Sequence, residues 1–232
     1  MGRLWASTAA CIMMDCGVEN YRAGLKRMSA TSDLTSDFSP RAWKNFLVNI
    51  LPPQGAWTEE QYLAFTDHTN RLIEFTDGRL EPLPMPTDRH QCILAYLFKA
   101  FDKFIEPRAG KVHFSGLRLR IRVEKFREPD LLLLLSAKDP RRQNRFWTGA
   151  DLALEVVSRD KPSRDLIDKR GDYAEGGVPE YWIVNPEDES ILVLRIEGGM
   201  YAEAGTFKRG ESAASVLLSG FAVDVDAVFD AD

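Results

Sequence analysis

Glu128-Pro129-Asp130-Leu131-Leu132-Leu133-Leu134-Leu135 and Leu152-Ala153-Leu154-Glu155-Val156-Val157 are the two stretches whose reading decides the fold. Five successive leucines have no in-out alternation, so they predict a strand covered on both faces, the kind found inside an α/β sheet. The second stretch reads the same way except at Glu155. A carboxylate in the middle of such a strand is costly to bury unless a cation or a metal neutralises it. Alternation sets Ala153, Glu155 and Val157 on one face, so the neutralising group belongs on that side of the sheet. Asp130 stands at the mouth of the leucine strand, behind Pro129. If the two strands are neighbours, Asp130 and Glu155 converge on a hard cation such as Mg²⁺, which takes oxygen ligands.

Downstream of Glu155, Ser163 is placed to cap a helix over residues 164–175 that Gly176-Gly177 ends. Asp165, Lys169 and Tyr173 are spaced i, i+4, i+8 and share one face of it. A short return from strand to helix lays that face back over Glu155. Two acidic ligands and one ammonium are suited to phosphodiester hydrolysis: the metal polarises the phosphoryl oxygen and acidifies a water, and the lysine orients that water or offsets developing negative charge. Beyond the helix, residues 181–184 and 191–196 predict two strands joined by Asn185-Pro186-Glu187-Asp188, and weaker strand signals surround Phe207 and residues 222–225.

Upstream, Thr58 followed by Gln61 is a capping box opening a helix to about Phe65. Asp77-Gly78 between residues 71–75 and 79–83 predicts a β-hairpin. Thr87 or Asp88 caps a helix in which Ile93, Leu94, Leu97, Phe98, Phe101 and Phe104 form one apolar stripe, ended by Pro107 and Gly110. Residues 111–123 read as one period-two strand, with Leu117, Leu119, Ile121 and Val123 on one face and Arg118, Arg120 and Arg122 on the other. That arginine face is most simply a solvated one, and it is also what a phosphate-tracking surface needs. Residues 138–145 form a basic loop.

The 232 residues carry 30 Lys and Arg against 35 Asp and Glu, a net charge of −5 that taken alone speaks against nucleic acid. Residues 103–145 nevertheless hold 12 basic and 5 acidic side chains, so the mean conceals a positive segment around Asp130. No uncharged apolar window is long enough to span a membrane. Cys11, Cys16 and Cys92 are odd in number and lack Cys-x-x-Cys spacing, which argues against a disulfide framework or a zinc knuckle and makes a reducing cytoplasm the default. Residues 1–40 show no sustained period and are expected to be an N-terminal arm, disordered in the simplest reading. The domain is expected over residues 41–232.

Pro129-Asp130, Glu155-Val156-Val157-Ser158, then Asp165, Lys169 and Tyr173, then Gly177-Val178-Pro179-Glu180-Tyr181-Trp182 occur in the order that resembles the Uma-type restriction endonuclease family of the PD-(D/E)xK nuclease superfamily. The likeness extends back through Ile73-Glu74-Phe75-Thr76-Asp77-Gly78 and His90, covering about residues 57–230. It implies an α/β, restriction endonuclease-like fold: a central mixed β-sheet flanked by helices, with an N-terminal helix and hairpin. It further implies that Asp130 and Glu155, with the Val156 carbonyl, hold Mg²⁺ or Mn²⁺, and that Lys169 is the catalytic lysine. Glu74 matches the family's hairpin glutamate and is a further candidate carboxylate. The sequence departs from the superfamily's basic motif at Val157, where the parent pattern places its lysine; Lys169 matches a lysine moved to the following helix.

Each residue also has a plain reading. Asp130 can simply open a strand, Lys169 can be a solvated lysine with Asp165 as its i, i+4 partner, and His90 reads as a polar or capping residue. Tyr173 and Trp182 read as packing residues, while Glu180 fits either a structural pair or the site. His68 and His113 carry no partner pattern. The expected function is a divalent-metal-dependent endonuclease hydrolysing DNA, with RNA served by the same residues and a homodimer compatible with two-strand cutting. Its rival is a catalytically lapsed nucleic-acid-binding or protein-interaction module of the same fold, motivated by Val157.

Overall fold

Residues 51–158 and 167–232 are described by the structure, a computed structural model of the chain. The arm over 1–40, the first residues of the expected domain, Ser163 and Asp165 lie outside the described residues. The chain divides into two units, Met1–Pro82 and Leu83–Asp232.

In the first unit, helix α1 (Glu59–Thr66) starts on the expected capping box. The Gln61 amide donates to Thr58 Oγ1 at 3.2 Å, and the Thr58 amide donates to Gln61 Oε1 at 3.0 Å. Strands β1 (Ile73–Thr76) and β2 (Arg79–Pro82) pair antiparallel across Asp77-Gly78. Both turn residues have positive φ, 46° and 78°, which is the type I′ geometry that matches strand twist. At Gly78 a Cβ would also lie 2.6 Å from the Gly55 carbonyl oxygen, so glycine is required there twice over. Tyr62 joins helix to hairpin: its ring stacks on Phe75 at 4.8 Å and its hydroxyl donates to the Ile73 carbonyl at 2.9 Å.

The second unit opens with α2 (Asp88–Ile105), capped by Thr87 and closed by a single 3₁₀ turn, Glu106–Arg108. Its buried stripe is Ile93, Leu94, Leu97, Phe101 and Ile105; Phe98 and Phe104 flank it, half-buried. The strand expected over 111–123 is two strands: β3 (Lys111–Phe114) and β4 (Leu119–Arg122), separated at Ser115-Gly116, where Gly116 has φ 87°. The period-two pattern runs through both because each strand alternates, but they belong to different sheets. β4 turns at Glu124, φ 63°, into β5 (Lys125–Arg127), and Val123, expected on the apolar face, is exposed at that turn.

The leucine run is β6 (Leu131–Leu134) and the Glu155 run is β7 (Leu152–Val156), buried at every residue. Helix α3 (Lys169–Glu175) follows, then β8 (Glu180–Asn185), β9 (Ser190–Glu197) and β10 (Met200–Phe207). These strands build a six-stranded sheet ordered β10-β9-β8-β7-β6-β3. Every neighbouring pair is antiparallel except β7 with β8, whose parallel pairing demands a crossover; α3 lies on it. The chain ends in a small ladder of β11 (Ser212–Ala214) with β12 (Ala222–Asp224), and helix α4 (Val225–Phe229), an element without a clear sequence signal.

Two apolar layers sandwich the sheet. On one face Leu131, Leu133, Leu152, Leu154, Val156 and Trp182 meet α2 and α4. On the other Leu132, Leu134, Ala153, Val157, Tyr181 and Ile183 meet Tyr173 of α3 and Leu119 and Ile121 of β4. The central mixed sheet flanked by helices is therefore present as expected.

Candidate active site

Glu155 sits on the second of these faces, between Ala153 and Val157, with only 3% of its surface exposed. Its counter-charge is Lys169: Nζ lies 2.7 Å from Glu155 Oε1, and both side chains are 4% exposed. The Tyr173 hydroxyl donates to the same oxygen. Lys169 and Tyr173 are one helical turn apart, so a single face of α3 delivers both donors to one carboxylate. The expectation that the helix returns its Lys169 face over Glu155 is met. Tyr173 does more than the packing role read from the sequence, and its i, i+4 spacing from Lys169 was the available signal.

The β6–β7 ladder ends at the pair Leu131–Leu154, so Asp130 and Glu155 are the next residues along at the same end of the two strands. Asp130 is bound to both sides of its own strand mouth. Its Oδ2 accepts from the Val156 amide at 2.8 Å and lies 3.1 Å from His90 Nε2. His90 is in the first turn of α2 and was read from sequence as polar surface or a cap; its contact with Asp130 depends on how α2 docks at the end of β6, which no local pattern encodes. Glu74 lies buried on β1 of the first unit.

Val157, at the position of the superfamily's usual lysine, is 5% exposed and packed in the apolar layer, while the ammonium comes from Lys169. Among the described residues, no group of three or more His, Cys, Asp or Glu side chains is arranged to hold a metal ion. Asp130 and Glu155, carboxylates at the same end of neighbouring strands, are the oxygen donors that suit a hard cation keeping part of its water shell and taking few protein ligands, and they do not make a closed zinc site.

Glu180 is resolved as structural. Its register partner Leu152 belongs to the α2 face, so Glu180 points away from the Glu155 side. It is 1% exposed and accepts from Trp182 Nε1 at 2.6 Å, Ser215 Oγ at 2.7 Å and the Val216 and Leu217 amides at 2.8 and 2.7 Å. Four donors replace a cation and tie residues 215–217 to β8.

The basic segment divides in space. Arg122, Lys125 and Arg127 face α3: Lys125 Nζ is 2.5 Å from Asp172 and 2.7 Å from Glu175, Arg127 Nε is 2.6 Å from Asp172, and Arg122 Nε is 2.8 Å from Glu175. Arg120 lies 6.0 Å from the rings of Phe126 and Phe146. Residues 138–145 connect the end of β6 to the start of β7, opposite the ends that carry Asp130 and Val156. Within that loop Arg141 is bound to Asp139 and Asp151, at 2.7 Å each. Adjacency in sequence to Asp130 thus becomes separation by the length of the strands, about 13 Å for four residues.

A central mixed sheet flanked by helices is the architecture of a restriction endonuclease-like fold. The family described as "Uma2: Putative restriction endonuclease" matches residues 59–226, and the chain belongs to it. Among solved structures, the chain is similar to one from Anabaena variabilis described as "a putative nuclease belonging to DUF820", with a TM-score of 0.58 and 18% identity over 68% of this chain and 89% of that one. No curated protein matches the sequence. No described helix is long and apolar enough to cross a membrane.

Proposed function

We propose that this protein is a divalent-metal-dependent endonuclease hydrolysing DNA phosphodiester bonds, with Asp130, Glu155 and Lys169 at its centre. The observation that carries the reading is the buried Lys169–Glu155 pair at 2.7 Å, one residue before Val156, whose amide donates to the Asp130 carboxylate at 2.8 Å. An ion pair this buried is a poor way to gain stability, because desolvation offsets most of the attraction. A site that must present charge to a phosphate is a sufficient reason to keep it. Family membership supports a nucleic-acid substrate and a divalent metal, since restriction endonuclease-like nucleases generally use one.

Asp130 and Glu155, with the Val156 carbonyl, would hold Mg²⁺ or Mn²⁺. The bound metal would supply Lewis-acid polarisation of a phosphoryl oxygen and acidify water. The Lys169 ammonium, fixed by its helix, is within reach of the same centre to orient a water and offset charge building on the scissile phosphate. Tyr173 keeps Glu155 in one rotamer. Glu74 is a further candidate carboxylate.

The test is plasmid cleavage by purified full-length protein with Mg²⁺ or Mn²⁺, beside Asp130→Asn, whose half-buried position lets the fold survive. Metal-dependent nicking that Asp130→Asn lowers by about a thousandfold, roughly 4 kcal/mol of barrier, is the expected result. Absence of cleavage on duplex, single-stranded and branched DNA sinks the reading and leaves the lapsed binding module; cleavage confined to RNA corrects the substrate.

A further inference from the structure

We propose that His90 is a positioning residue for Asp130, holding that carboxylate in the one orientation from which it binds the divalent metal. The inference rests on the nuclease reading above and adds to it a residue outside the Asp130, Glu155 and Lys169 set. Asp130 stands at the mouth of β6, where a side chain with two rotatable bonds has room to turn: it is 16% exposed, against 4% for Glu155. Nothing on its own strand restrains it. What does restrain it is a pair of donors on one oxygen, the Val156 amide at 2.8 Å and His90 Nε2 at 3.1 Å. An ionised carboxylate only accepts, so Nε2 is the nitrogen that carries the proton in this contact.

Both donors are rigidly mounted. Val156 belongs to the fully buried β7 and lies one residue past Glu155, so its amide ties Asp130 to the strand that bears the other carboxylate. His90 belongs to the first turn of α2, where its own amide donates to Thr87 Oγ1 at 3.2 Å, and α2 is seated on the sheet by five buried side chains. With 12% of its side chain exposed, the imidazole is largely withdrawn from water and its bond to Asp130 is correspondingly firm. Oδ1 of Asp130, by contrast, accepts no hydrogen bond among the described residues. One carboxylate oxygen is therefore immobilised by the protein and the other is left for a ligand, the arrangement in which outer partners raise the affinity of a metal site.

The experiment is titration of Mn²⁺ into the full chain by calorimetry, with the Mn²⁺ electron-paramagnetic-resonance signal as a second readout. Wild type is compared with His90→Leu, which removes the donor, and His90→Gln, whose side-chain amide can replace Nε2. The fold of each is checked by near-ultraviolet circular dichroism of the buried tryptophans. Mn²⁺ binding should weaken about 10- to 100-fold in His90→Leu and recover most of that loss in His90→Gln. Should His90→Leu not fold, His90→Asn takes its place, because its amide is too short to reach Asp130. Binding within about twofold of wild type in the donorless variant overturns the proposal, as does an equal loss in His90→Gln, since a positioning donor must be replaceable. If wild type itself binds no Mn²⁺, the nuclease reading fails first and the role of His90 falls with it, an outcome distinct from the other two.

Discussion

At the scale of the residue, the site is organised by what burial does to charge. Glu155 is withdrawn from water and receives an ammonium and a phenol on one oxygen, both from α3. Tyr173→Phe deletes the phenol donor while keeping the ring that packs against Tyr181 at 4.9 Å. A hydrogen bond to a charged acceptor contributes about 2 kcal/mol, so thermal unfolding should show a loss of that size. The same variant should cleave roughly tenfold more slowly if Glu155 loses its single rotamer. Lys169→Met leaves a buried carboxylate without its cation and is expected to cost about 3–5 kcal/mol in chemical denaturation, more than any substitution of an exposed lysine. Glu155 and Lys169 were legible in the sequence because a charge inside an apolar strand announces itself and i, i+4 spacing defines a helical face. His90 was not legible as a partner of Asp130, because forty residues of chain separate them and only the docking of α2 brings them together.

At the scale of the element, α3 is too short to hold itself: seven residues, with no side-chain cap at Asp168 and a glycine inside. Helices of two turns do not persist in water without tertiary support. The support is the β4–β5 hairpin, whose Arg122, Lys125 and Arg127 grip Asp172 and Glu175 on α3. The positive segment that the sequence offered as a phosphate track therefore serves in part to seat the helix that bears Lys169. Asp172→Asn, removing the buried anion between two cations, is expected to destabilise by about 3 kcal/mol and to lower kcat with KM little changed. The pH response has two sides. The hydrogen bond from Lys125, opposed by burial and reinforced by Arg122, holds the Glu175 carboxyl below its usual 4.5. Its contribution to stability is full above pH 4.5 and is lost as pH falls through the lower folded value. For Lys125, burial pulls the pKa down but the hydrogen bonds it donates to Asp172 and Glu175 outweigh it, raising it above 10.5, so its contribution is full below pH 10.5 and lost only on further alkalinisation. Acid titration followed by tryptophan fluorescence should show unfolding of wild type displaced to lower pH than that of Glu175→Gln.

At the scale of the whole molecule, the chain keeps its polar anchors on opposite faces of one sheet. Glu155 gathers α3 on one side, and Glu180 gathers residues 215–217 on the other. Glu180→Ala strands several donors at once and is expected to cost about 3 kcal/mol in unfolding free energy without altering metal binding. Because the loop over 138–145 lies at the strand ends away from Asp130, the double variant Arg142→Glu, Arg145→Glu should leave plasmid cleavage within about threefold; a loss of two phosphate contacts would instead flatten the salt dependence of DNA binding by roughly 1.8 in log-log slope. The sequence by itself determined the buried strands, the capping box, the Asp77-Gly78 hairpin, the amphipathic α2 and the ordered Asp130, Glu155 and Lys169 motifs, because each follows from local periodicity, turn chemistry or an exceptional charge in an apolar run. Tertiary structure alone decided that residues 111–123 split between two sheets, that Asp130 is held by His90 and Val156, that Glu180 faces away from Glu155, and that the basic segment is divided between a clamp on α3 and a distant loop. The physical reason is that strand register and helix docking are set by long-range pairing and burial, which bring together charges whose separation along the chain says nothing about their separation in space.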